Sequence, residues 1–155
     1  MRKGSDKSPN TGGRVVRMKK IVFVVDDMET NLAQAKETLD SHYTVITMSS
    51  AQKMFAILEK RKPDLILLDI LMPQTSGFEA MEALQKDKRY SDIPVVFLTS
   101  ERDPDVESKC FELGAADFIT KPFTQEGLLK RVRTQINMKD LIEDRDRDRG
   151  GPRLI

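Results

Sequence analysis

Residues 20–27 read KIVFVVDD, five consecutive apolar residues closed by two aspartates. A run of this length, enriched in Val and Ile and lacking polar alternation, is the pattern of a strand buried on both faces. The pattern repeats outward along the chain. LILLD fills 65–69, VVFLT fills 95–99, and DFIT with a following lysine fills 117–121. A weaker run at 43–47 reads as an edge strand. Strands are therefore placed at 20–25, 43–47, 65–69, 95–99 and 117–119, with helical patterns between them. That alternation predicts an α/β fold with a parallel sheet.

The intervening segments carry helix signals. From Glu29 onward, Leu32, Ala35 and Leu39 share one stripe, and Met54, Ile57 and Leu58 form a second. Ser76 and Glu79 have capping-box spacing, with Met81 and Leu84 as inward positions. Asp103 followed by Pro104 marks the start of a fourth helix that offers Val106, Cys110, Phe111 and Leu113 to the core, and Gly114 ends it. A fifth helix begins near Thr124 with Leu128, Leu129, Val132 and Ile136 on its apolar side. It continues through Met138, Leu141 and Ile142, longer than one domain of this class needs.

In an open parallel sheet the C-terminal strand ends lie side by side and line the ligand crevice. Asp26, Asp27, Asp69, Thr99 and Lys121 each stand at such an end. A carboxylate is ionised at neutral pH and can attack phosphorus without a separate base, forming an acyl phosphate. Three clustered carboxylates repel one another unless a cation compensates. Mg²⁺, a hard ion that takes carboxylate, water and phosphate oxygens, suits that role, and Mn²⁺ is an alternative. Lysine supplies a point charge for the phosphate and threonine a hydroxyl, so the task is positioning and charge neutralisation. Asp26 and Asp27 are assigned as metal ligands, Asp69 as phosphoacceptor, and Thr99 and Lys121 as phosphate partners. Taken singly, these residues have duller readings. The acidic pair could cap the first helix, and Thr99 and Phe118 could be ordinary strand residues.

Composition sets the bounds. The 155 residues, 39% hydrophobic, suit one substantial core, and a net charge of +1 gives no general attraction to nucleic acid or membrane. One cysteine allows no internal disulfide, and no apolar stretch is long enough for a membrane span. The expectation is a soluble, cytoplasmic protein. Residues 1–19, rich in Gly, Ser and basic side chains, read as a disordered N-terminal arm or expression remnant, 20–137 as the domain, and 138–155 as a helical extension with a disordered tail.

The ordered motifs VVDD, LLDILMP with Gly77 after it, VVFLTS and GAADFITKPF resemble the response regulator receiver domain of two-component signalling, the chemotaxis response regulator among its members. The likeness spans residues 20–136. It implies a flavodoxin-like, doubly wound sheet of five strands in the order 2-1-3-4-5, flanked by five helices. It implies a phosphorelay in which a sensor histidine kinase or phosphotransfer protein donates to Asp69, making the chain a phosphoprotein rather than an enzyme with a free substrate. The backbone carbonyl of Leu71 is then a further metal ligand, and the bond before Pro122 is cis. Leu71 and Glu101 occupy positions that modulate water access. Thr99 and Phe118 are the switch pair, read out on the face of the fourth helix, fifth strand and fifth helix. Relatives often carry Tyr where this chain has Phe118, so packing alone must carry that step.

Other classes compare less well. A metal-dependent phosphohydrolase would need an acid/base carboxylate soon after Asp69, and a nucleotide or flavin module would need a glycine-rich loop where this chain has DDMETN. No DNA-binding module is expected from the residues after the fifth helix. Output is expected through a downstream protein target, either from a stand-alone domain or from one excised from a larger regulator with an enzymatic domain. A seam of Val132, Ile136, Met138 and Ile142 would support a phosphorylation-dependent homodimer.

Overall fold

Five apolar runs form strands β1 (Ile21–Val25), β2 (Thr44–Met48), β3 (Leu65–Asp69), β4 (Val95–Thr99) and β5 (Asp117–Thr120) in a computed structural model that describes residues 19–100 and 104–150. Each is followed by a helix: α1 (Glu29–Leu39), α2 (Ala51–Leu58), α3 (Gly77–Lys86), α4 (Pro104–Glu112) and α5 (Gln125–Gly150). All four strand pairings are parallel and the order is β2-β1-β3-β4-β5. This is the flavodoxin-like arrangement, whose order reverses at β1 and β3 and opens a crevice beyond their C-terminal ends.

The unbroken apolar runs follow from a sheet covered on both sides. Phe23, Val25, Ile66, Leu68, Val95 and Phe97 enter one apolar layer with residues of α2, α3 and α4. The alternate positions Val22, Val24, Leu65, Leu67, Val96, Leu98 and Ile119 enter the other, with α1 and α5. β2 lies at the edge, where Thr44, Ile46 and Thr47 are only half-buried, and this explains its weak sequence signal. It also starts one residue later than expected, leaving Tyr43 buried just before it.

Local signals set several helix ends. The Ser76 hydroxyl accepts the Glu79 N–H at 3.1 Å while the Glu79 carboxylate accepts the Ser76 N–H at 2.9 Å. Gly114 follows α4 with φ +94°, a conformation that favours glycine. Asp103 and Glu101 lie outside the described residues. His42 is exposed just before β2, away from the C-terminal strand ends, and Cys110 is buried, its thiol pushed up to about 11 by that burial.

Two expectations are corrected. Phe111 is not a core residue: it is 50% exposed on α4, while its neighbour Cys110, about 100° around the helix, takes the inward position. The proposed dimer seam is also divided. Val132 and Ile136 are buried against the sheet, whereas Met138, Leu141 and Ile142 are exposed. α5 runs 26 residues, about 39 Å, and among the described residues its buried positions, Leu128, Val132 and Ile136, all lie in its first half. Beyond Ile136 the helix is steered by polar contacts, Lys20 to Asp140 at 3.0 Å and Lys139 to Asp64 at 4.0 Å. Both pairs are half-buried at the rim of the fold, and we read them as orienting the extension more than holding it. Among the described residues no helix is long and apolar enough to cross a membrane.

Candidate functional site

Strand parity brings the charged groups together. Side chains alternate along a strand, so Asp26 continues the side of Val22 and Val24, Asp69 that of Leu65 and Leu67, and Lys121 that of Ile119. Ligand oxygens of Asp26, Asp27 and Asp69 lie within 4.8 Å of one another. The Lys121 ammonium donates to Asp69 Oδ1 at 3.0 Å and to Asp26 Oδ2 at 3.3 Å. Thr99 ends β4 with its side chain buried, opposite Thr120 in register. The Lys121–Pro122 bond is cis. Leu71, two residues beyond Asp69, points its side chain into solvent.

The carboxylates differ in environment. Asp26 is fully buried, and three donors satisfy it: the Met28 N–H at 2.9 Å, the Asn31 amide at 3.0 Å and Lys121. Asp27 is exposed. Neither aspartate caps α1, whose N-cap is Met28 without a side-chain bond. Asn31 escaped the sequence reading. Its signal was its place in the first turn of the helix that follows the acidic pair.

Asp69 is the strained member. Burial pushes its carboxyl from the ordinary 3.8 up to about 6; Lys121 opposes that shift, and the charges of Asp26 and Asp27 reinforce it. Burial disfavours the Lys121 ammonium, but the bonds and charges of Asp69 and Asp26 outweigh it, and its pKa is raised. With every group ionised, three carboxylates face one ammonium, leaving two negative charges uncompensated. A divalent cation would cancel them, and an all-oxygen donor set is what a hard ion selects.

The raised Asp69 pKa fixes the sign of a pH effect. The folded protein binds this proton more tightly than the unfolded chain, so the stabilisation is complete below about 3.8 and is lost as pH rises through about 6. Metal-free protein should therefore be more stable at about pH 5 than at about pH 7.5, and Asp69→Asn should shrink that difference. Urea midpoints of both proteins in chelator at the two pH values test this. An unchanged difference in the variant would remove Asp69 as the cause.

The loop geometry between β3 and α3 depends on Gly77. Its N–H donates to the Ile70 carbonyl at 2.7 Å, and a Cβ on it would stand 2.2 Å from the Asp69 carbonyl oxygen. The helix thus begins directly against the end of the strand that carries Asp69.

A doubly wound sheet with an acidic triad and a lysine at its C-terminal edge defines a class of signalling module. Residues 22–133 match the model of the response regulator receiver domain, and the chain belongs to that family. It is 36% identical over 118 residues to a probable cyclic di-GMP phosphodiesterase of Vibrio cholerae, covering 76% of this chain and 27% of that protein. Identity to the phosphate regulon transcriptional regulatory protein PhoB of Pseudomonas aeruginosa is 37% over 117 residues, 74% of this chain and 50% of that protein. The chain therefore spans half or less of the length of these curated relatives. Among solved structures it is similar to the chemotaxis response regulator CheY4 of Vibrio cholerae, with a TM-score of 0.72 and 30% identity over 76% of this chain and 99% of that one.

Proposed function

We propose that Asp69 accepts a phosphoryl group from the phosphohistidine of a sensor histidine kinase or phosphotransfer protein. The single observation that carries this reading is the Lys121 ammonium bridging Asp69 and Asp26 beside Asp27. An Asp69 oxygen attacks phosphorus, the phosphorus–nitrogen bond breaks, and the departing imidazole keeps the electron pair and takes a proton. The product is an acyl phosphate on Asp69. Lys121, already 3.0 Å from the nucleophile, stays as the counter-charge of the new phosphate, and the Thr99 hydroxyl turns to bond it. Mg²⁺, or Mn²⁺, bound by Asp26, Asp27, Asp69 and the Leu71 carbonyl would neutralise charge on the phosphoryl oxygens. Hydrolysis of the acyl phosphate resets the domain, so the chemistry is confined to self-phosphotransfer and autodephosphorylation.

Movement of Thr99 vacates space for the Phe118 ring, and the face of α4, β5 and α5 changes shape for a downstream protein. Couplings of this kind amount to about 1–3 kcal/mol, a biased equilibrium rather than an absolute switch.

The modular assignment is residues 20–137 as the receiver unit and the remainder of α5 as a connecting helix. Among the described residues Ile136 is the last buried core residue of α5, and the relatives' greater length supports a receiver joined to an output domain.

Asp27→Ala tests the metal assignment without disturbing the core, because Asp27 is exposed. Calorimetric titration with Mg²⁺ should show affinity reduced about tenfold or more, with the thermal midpoint of the metal-free protein unchanged or higher. Unchanged affinity would contradict the role.

A further inference from the structure

The sheet sets two aromatic rings side by side. Phe97 of β4 and Phe118 of β5 are register partners and pack on the same apolar layer. Each meets a ring from a neighbouring helix edge to face: Phe97 meets Phe78 of α3 at 5.4 Å and 80°, and Phe118 meets Phe111 of α4 at 5.7 Å and 73°. Their surroundings differ. Phe97 is fully buried and fixed in the core, whereas Phe118 is half-buried and Phe111 is half in solvent. The inner pair keeps one ring, Phe97, wholly inside the core with Phe78 half-buried against it, while the outer pair has no fully buried ring and can separate without opening the core.

Thr99 lies two residues past Phe97, on the same side of the sheet as both strand rings. A Phe118 ring drawn inward toward Thr99 leaves Phe111 behind. The edge-to-face contact therefore exists in one state of the switch and is lost in the other, which is the differential interaction a bistable element requires. No hydroxyl on Phe118 can supply a hydrogen bond instead.

We propose that Phe111 is the positioning residue that holds Phe118 outward in the unphosphorylated domain, so that phosphorylation of Asp69 works against this aromatic contact. The inference rests on the proposed roles of Asp69, Thr99 and Phe118. Its consequence is that occupation of the site and the Phe111–Phe118 contact oppose each other. By linkage, anything that removes the contact tightens binding at the acidic cluster.

The test is titration of the full chain, in Mg²⁺, with beryllofluoride as a noncovalent stand-in for the phosphoryl group. Phe111→Ala should bind it about two- to tenfold more tightly, the range set by one aromatic pair. Phe111→Leu, which keeps apolar bulk without a ring, should shift affinity in the same direction. In a Phe118→Ala background, Phe111→Ala should have no further effect. A structural role alone would lower the thermal midpoint and leave affinity unchanged or weaker; that result, or equal tightening without Phe118, overturns the proposal. Wild type that does not bind beryllofluoride, or Asp69→Asn that binds it equally, would instead refute the Asp69 assignment and the latch with it.

Discussion

Asp69→Asn is expected to reduce phosphoryl incorporation from a small phosphoryl donor by about a hundredfold or more while leaving the protein folded. The amide keeps the size of the carboxyl and an oxygen to accept the Lys121 bond, but it lacks the ionised oxygen that the proposed attack on phosphorus requires. The same substitution should stabilise the metal-free protein at neutral pH. Burial and the neighbouring aspartates disfavour the Asp69 charge, and an amide removes it; a gain on the order of 1–3 kcal/mol is expected. Loss of labelling together with a raised urea midpoint would mark Asp69 as a residue kept for chemistry at the expense of stability. Labelling at the wild-type rate would exclude it as the nucleophile, and labelling loss with a lowered midpoint would contradict the electrostatic account.

Gly77→Ala should be the most damaging single-methyl change near the site. The added Cβ would fall 2.2 Å from the Asp69 carbonyl oxygen and 2.8 Å from Ile70 Cα, both backbone atoms without rotamers to escape into. Either α3 or the end of β3 must move, and the capping box at Ser76 and Glu79 resists the first. A destabilisation of about 2–3 kcal/mol is expected, with weaker Mg²⁺ affinity because Asp69 is displaced. Gly127→Ala is the control: its nearest obstacle is the Thr124 side chain at 2.9 Å, and the change should stay within about 1 kcal/mol. Equal effects of the two substitutions would show that the close approach at Gly77 is not limiting.

The contrast between these glycines shows where sequence reading reaches its limit. Strand identity was legible because a sheet covered on both faces requires apolar residues at both parities, as in Val22 to Val25. The site was legible because parallel strands bring their C-terminal ends together, so Asp26, Asp69 and Lys121 needed no knowledge of side-chain packing. Ser76 and Glu79 announced their helix because both partners of a capping box lie within one turn. Gly77 gave no such measure, since how closely α3 approaches β3 is decided by the whole layer.

Helix periodicity failed in the same way at two places. It identifies residues that share a stripe, but not how wide a stripe the neighbouring element covers. On α4 the stripe narrows to Cys110 and leaves Phe111 outside; on α5 the sheet ends beneath Ile136 while the apolar spacing continues to Met138 and Ile142. The Asn31 contact with Asp26 was hidden for a related reason, because a hydrogen bond across a strand–helix turn depends on the turn's path.

The most direct measurement is to treat the full chain with phosphoramidate and Mg²⁺, reduce the product with borohydride, and sequence the fragments. An acyl phosphate on an aspartate side chain is reduced to homoserine, whereas a phosphate on serine, threonine or histidine is not. Homoserine at position 69, formed only when donor and Mg²⁺ are both present, is the expected result. Homoserine at another aspartate, or none at all despite an intact fold, would contradict a phosphoryl-accepting site centred on Asp69.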